Sequence, residues 1–216
     1  MDSRTSCRSV AAAALVTLLA TVGAGTRGED KMVSKKPKPL RVLFVGNSYT
    51  FVNSVPSAVA VFARHRKQRP LVGKLNAPGG CTLRKHYLKT GARKQIAEGK
   101  WDYVVLQEQS QMPVVYPKAF QHYAALLAKD IQAAGATPVF FMTWARKHIP
   151  KMQDGLTKEY TTAAKKAGGL LAPVGEAFKA CRAKHPKIEL YANDKSHPSP
   201  KGFYLATCVI YATLYN

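Results

Sequence analysis

The chain has 216 residues, 33 of them Lys or Arg against 12 Asp or Glu, a formal charge of +21 at pH 7. An excess of that size attracts polyanions such as an acidic polysaccharide or an anionic envelope surface, although each basic residue alone reads as part of a solvated helix face. No RNA- or DNA-binding signature accompanies the charge, so nucleic acid is not the expected ligand.

Arg4 and Arg8 precede an almost wholly apolar run over residues 10–22, and small residues follow at Gly23, Ala24 and Gly25. This is the layout of a secretory signal peptide over residues 1–25, and the chain is expected to be exported. The run is shorter than the roughly 20 residues needed to span a bilayer, so no membrane span is expected in the mature chain. An uncleaved anchor is the alternative. Two Arg and one Asp lie in that segment, so the mature chain keeps a charge of about +20. Residues 26–39 are rich in Lys and Pro with little to bury, and read as a linker. Residues 40–216 are long enough for one well-buried domain and short for two.

The domain opens with an apolar strand, residues 40–45, that ends abruptly in Gly46-Asn47-Ser48. Ser54-Val55-Pro56 reads as a capped helix start, and the helix runs into the basic cluster at residues 64–69. A second strand over residues 71–76 leads to the turn-rich Gly79-Gly80-Cys81-Thr82, then one helix over about residues 83–97. The third strand, residues 101–106, ends in Gln107-Glu108-Gln109-Ser110. An amphipathic helix carries Phe120, Ala124, Leu127 and Ile131, and a fourth strand covers residues 138–144. A helix through Leu156 and Tyr160, a fifth strand over residues 170–174 and a helix over residues 175–183 follow. The last helix begins at Ser199-Pro200. Strands alternating with helices predict an α/β fold, a three-layer, doubly wound parallel sheet of five strands.

Ligands of such sheets sit beyond the carboxyl ends of the strands, where the Ser48, Gly79-Gly80 and Gln107-to-Ser110 segments all fall. The Asp194-Lys195-Ser196-His197-Pro198 loop comes after the fifth strand and its helix. A serine hydroxyl becomes a nucleophile when a neutral imidazole takes its proton, and the imidazole needs an acceptor that fixes its tautomer. Asp194 and His197 can share one short turn, and Pro198 biases His197 to an extended backbone. The Ser48 and Gly80 amides, with the Gln109 side chain, could donate to an oxyanion. Trp144, Arg146 and Glu108 are candidate cleft residues. Core packing accounts for Trp144 nearly as well, and a solvated loop position accounts for Glu108 better. His86, His122 and His148 read as polar surface or capping residues, since no Cys or His pair has metal-ligand spacing. The three cysteines beyond residue 25 are Cys81, Cys181 and Cys208, too few for a disulfide scaffold; Cys181 with Cys208 is the one pairing to consider. No cofactor or metal is expected.

These segments resemble the SGNH (GDSL-like) hydrolases over roughly residues 40–216, most closely a subfamily with Gly-Asn-Ser and Gln-Glu-Gln-Ser segments. Gly46-Asn47-Ser48 is similar to the first family block, with Asn47 where Asp is usual and Ser48 on the nucleophile. Gly79-Gly80-Cys81-Thr82 resembles the second block, and Gly80 falls on its oxyanion glycine. The last block, Asp194 to Pro198, is the most specific match and implies that Asp194 and His197 complete the triad. The third block departs from the usual Gly-x-Asn-Asp: Gln109 falls on the oxyanion asparagine, and loss of one such donor can cost ~10²–10³ in turnover. The resemblance implies a flavodoxin-like sheet and a serine esterase; the positive charge, the expected export and the lack of a long apolar lid segment point to short acyl groups, for example acetyl on carbohydrate, more than to long-chain lipid. A non-catalytic polyanion-binding module on the same scaffold, or an acyltransferase using the same triad, is the alternative.

Overall fold

The structure, a computed structural model, describes residues 37–216. The expected signal peptide and nearly all of the expected linker lie outside the described residues. In chain order the elements are β1 (Leu40–Val45), α1 (Ser48–Phe51), α2 (Val55–His65), β2 (Leu71–Asn76), α3 (Leu83–Leu88), α4 (Ala92–Glu98) and β3 (Tyr103–Leu106). There follow α5 (Met112–Val115), α6 (Pro117–Ala133), β4 (Thr137–Phe141), α7 (Met152–Ala167), β5 (Leu170–Ala172), α8 (Val174–Lys184) and α9 (Pro200–Tyr215).

The five strands form one parallel sheet in the order β2-β1-β3-β4-β5. β1 lies between β2 and β3, so its side chains are buried on both faces. Its alternation sends Leu40, Val42 and Phe44 to one core and Leu43 and Val45 to the other. The first core is closed by α2, α8 and α9 through Val55, Phe178 and Ile210; the second by α3, α4, α6 and α7 through Leu83, Ile96, Leu127 and Leu156. This is the predicted three-layer architecture. The strand order reverses between β1 and β3, and the carboxyl ends of those strands flank the crevice where doubly wound sheets hold ligands.

Several local expectations need correction. The single helix expected over residues 83–97 is two, because Gly91 turns the chain at φ +72° between α3 and α4. Ser54 does not cap α2: its backbone is left-handed at φ +56°, and its hydroxyl meets Ser57 instead at 2.7 Å. Ser199 does cap α9, accepting from the Gly202 amide at 3.2 Å. The ladder of β4 ends at Phe141, so Trp144 lies beyond the strand, and β5 covers only Leu170–Ala172. Cys81, Cys181 and Cys208 are free thiols, so the pairing considered for the last two is absent. Among the described residues no helix is long and apolar enough to cross a membrane.

Candidate active site

Ser48 is the first residue of α1, immediately after the turn that leaves β1. Gly46 is required there, since a Cβ would stand 2.5 Å from Thr50 Oγ1 and 2.6 Å from Gln107 Oε1. Asn47 caps the helix, accepting from the Tyr49 amide at 3.2 Å and donating from Nδ2 to the Cys81 carbonyl at 3.0 Å. Gln107, fully buried at the end of β3, grips the same turn: Oε1 accepts from the Asn47 amide at 2.9 Å and from Thr50 Oγ1 at 2.8 Å, and Nε2 donates to Asn47 Oδ1 at 3.0 Å. Behind it, His86 Nε2 donates to the Gly46 carbonyl at 2.7 Å. Burial lowers the His86 pKa. The serine is thereby set in a cage of satisfied buried amides.

The Asp194–His197 segment meets this cage from the other side. Asp194 Oδ1 accepts the Ser196 and His197 amides at 3.0 and 2.9 Å, closing a tight turn in which Lys195 takes φ +60°. Its Oδ2 accepts from His197 Nδ1, and His197 Nε2 lies 2.8 Å from Ser48 Oγ. An ionised carboxylate only accepts, so Nδ1 carries the imidazole proton and Nε2 accepts from the serine hydroxyl. The His197 bond holds the Asp194 carboxyl at about 2, well below its ordinary range. The Ala192 amide donates to the His197 carbonyl at 2.8 Å and the Lys147 amide to the Lys195 carbonyl at 3.0 Å, pinning the loop.

An aromatic ladder steadies both parts. Tyr49 stacks on Trp144 at 4.5 Å between centroids and 2° between planes, and Trp144 stacks on Phe178 at 4.3 Å and 5°. Tyr49 Oη meets Ser196 Oγ at 2.6 Å, and Trp144 Nε1 donates to the Ser196 carbonyl at 3.0 Å. Tyr49 also sets an edge against the His197 ring, 5.3 Å away.

No family sequence model and no curated protein matches the chain. Among solved structures, a protein of Slackia heliotrinireducens assigned to the SGNH hydrolases is 33% identical, with a TM-score of 0.71 over 82% of this chain and 100% of that one. The chain belongs to the SGNH hydrolase family. An acetylxylan esterase from Geobacillus stearothermophilus superimposes with a TM-score of 0.64 at 14% identity, over 83% of this chain and 96% of that one. A protein of Parabacteroides merdae ATCC 43184 assigned as a GDSL-like lipase also gives a TM-score of 0.64 at 14% identity, over 83% and 97% of the two chains. Both share the SGNH hydrolase fold.

In this SGNH hydrolase, the candidate oxyanion donors lie on loops that follow β1, β2 and β3. Gly80 takes φ +61° in the turn closed by the Cys81 amide on the Pro78 carbonyl at 3.1 Å, a conformation that favours glycine. Gln109 uses Oε1 to accept from the Gln111 amide at 2.9 Å, which leaves Nε2 with one long contact, 3.5 Å to Ser110 Oγ. Two candidate cleft residues are instead buried. Trp144 is fully enclosed and works as the ladder's middle rung; Glu108 is 2% exposed and turns its carboxylate onto the Leu83 and Gln109 amides. Arg146 is half-buried, its Nε enclosed without a hydrogen-bond partner. His86, expected at the surface, is fully buried. The supporting roles of Asn47, Tyr49, Gln107 and His86 were not foreseen; the sole hint was a pair of polar residues, Gln107 and Glu108, directly following an apolar strand. Among the described residues no group of three or more His, Cys, Asp or Glu is arranged to hold a metal ion.

Proposed function

We propose that this SGNH hydrolase is an exported serine esterase that removes short acyl groups such as acetyl from carbohydrate. The observation that carries this reading is the continuous hydrogen-bond chain from Ser48 Oγ through His197 to Asp194. In the first half-reaction Ser48 Oγ attacks the ester carbonyl as its proton passes to His197 Nε2. Asp194, still ionised, steadies the imidazolium. The Ser48 and Gly80 amides and Gln109 Nε2 supply the donors to the oxyanion. Collapse breaks the bond to the leaving alcohol, which takes the proton from His197, and water repeats the sequence to release the acid and restore Ser48.

Two features favour a carbohydrate ester over a long-chain lipid. His197 and Asp194 keep 37% and 49% of their side chains exposed, an open setting that a polymer can reach. The charge of about +20 on the mature chain would draw a polyanionic glycan to it. The acetylxylan esterase named above has the same fold.

The test is labelling of the mature protein with a fluorophosphonate probe, together with p-nitrophenyl acetate hydrolysis. Ser48→Ala is expected to abolish labelling, and Ser48→Ala and His197→Ala each to lower kcat by about 10³-fold or more. Labelling that survives Ser48→Ala would sink the assignment. Labelling with acyl transfer to an added sugar in place of hydrolysis would identify an acyltransferase.

A further inference from the structure

We propose that Glu108 is a positioning residue whose ionised carboxylate clasps together the two loops that carry Gly80 and Gln109, so that protonating it loosens the oxyanion site and slows turnover. This rests on the esterase reading above. Leu83, three residues beyond Gly80, donates its amide to both Glu108 oxygens at 3.2 Å; Gln109 donates its own to Oε1 at 2.6 Å. One side chain thus ties the entry of α3 to the end of β3. The Glu108 backbone is itself held, its amide donating to Tyr160 Oη at 3.2 Å and its carbonyl accepting from Gln107 Nε2. Gln107 in turn holds the Asn47-to-Thr50 turn, so the clasp reaches the serine through one intermediary.

The carboxylate has little else to satisfy it. The titratable and charged groups around it are Arg84 and Lys85 of α3, Lys89 at its C-terminal cap, Tyr123 of α6, Tyr160 of α7 and the Cys81 thiol. None of the three cations pairs with it among the described residues; they line a cleft of about 350 Å³ that opens beside Glu108 and Thr82. Burial pushes the Glu108 carboxyl up to about 7, with the Gln109 and Leu83 amides pulling the other way. The group therefore changes charge near neutrality. An ionised carboxylate accepts from both loops on two charged oxygens, whereas the protonated acid keeps one free acceptor oxygen, so the Leu83 amide loses one of its two partners and the remaining bonds lose the charge that strengthens them.

The experiment compares the wild-type full chain with Glu108→Gln in p-nitrophenyl acetate hydrolysis from about pH 5 to about pH 9. In the wild type the acid limb of log kcat/KM should be steeper than in Glu108→Gln by about one in slope, the proton of Glu108. The amide of Glu108→Gln offers a single neutral acceptor oxygen at any pH. Its acid limb should be shallower than the wild type's by about one, with kcat about tenfold to hundredfold lower and KM within about twofold. Equal slopes in the two proteins would overturn the proposal, since a purely structural residue changes stability without removing a proton from the profile. If Glu108→Gln fails to fold, the wild-type amide shifts of Leu83 and Gln109 decide: they should titrate with one shared midpoint near neutrality, and independent or flat behaviour overturns the clasp. A wild type without Ser48-dependent hydrolysis defeats the esterase reading instead, and the amide titration still judges the clasp.

Discussion

Removing the Glu108 proton leaves a carboxylate in surroundings with almost no access to water, and folding must bear that cost. The folded protein holds this proton more tightly than the unfolded chain, whose carboxyl has its ordinary value of 4.5 against about 7 in the fold. Stability from this group is therefore fully present below about pH 4.5 and is lost as pH rises through about 7, by at most about 3 kcal/mol. Glu108→Gln has no such proton, so its urea stability should decline less than the wild type's between about pH 5 and about pH 8. A parallel decline in both proteins would contradict the buried titration. Activity and stability pull this residue in opposite directions, since the charged form that serves turnover is the form that folding disfavours. Little of this is legible from sequence. Ser48, Asp194 and His197 stand out because their chemistry is recognisable wherever it meets a strand end or a tight turn. Gln107, Glu108 and His86 are polar side chains whose burial depends on partners 25 to 60 residues away, and local pattern carries no trace of those partners.

At the level of elements, the Asp194–His197 loop owes its position to the segments on either side of it. Trp144 sits just past β4 and offers a stacking face to Tyr49 and an Nε1 hydrogen to the Ser196 carbonyl. Trp144→Phe keeps most of the stack and removes that hydrogen bond. It should cost about 2 kcal/mol in urea denaturation and lower kcat about tenfold with KM little changed, because His197 loses a support while the substrate keeps its contacts. An unchanged kcat would mean that the Asp194 turn and the Ala192 and Lys147 amides hold the loop without the Trp144 hydrogen bond. The strands themselves were legible, since an apolar run with branched residues bounded by turn residues has few other uses. The break between α3 and α4 is marked by Thr90-Gly91, and the apolar spacing changes phase there, since Leu83 and Ala92 would stand half a turn apart on one continuous helix.

Across the whole molecule, the densest run of basic residues falls at the end of α2. Arg64, Arg66 and Lys67 are exposed at the end of α2, where cations also suit the carboxyl end of a helix. Attraction to an acidic polysaccharide should weaken steeply with salt, while hydrolysis of uncharged p-nitrophenyl acetate should hardly change. Retention on immobilised heparin measured against salt, beside the ester assay, separates the two; salt-independent retention would count against an electrostatic origin. The serine and its histidine are also fastened to the fold in unequal ways. Ser48 follows a central strand, and a fully buried Gln107 grips its neighbours Asn47 and Thr50, so the turn can come apart only when the sheet does. His197 rides on a surface loop whose cheapest excursions leave the sheet untouched. A warmed sample would therefore pass through a state that is folded by every measure of the sheet, with Ser48 in place and His197 no longer beside it, and that lapse would reverse on cooling.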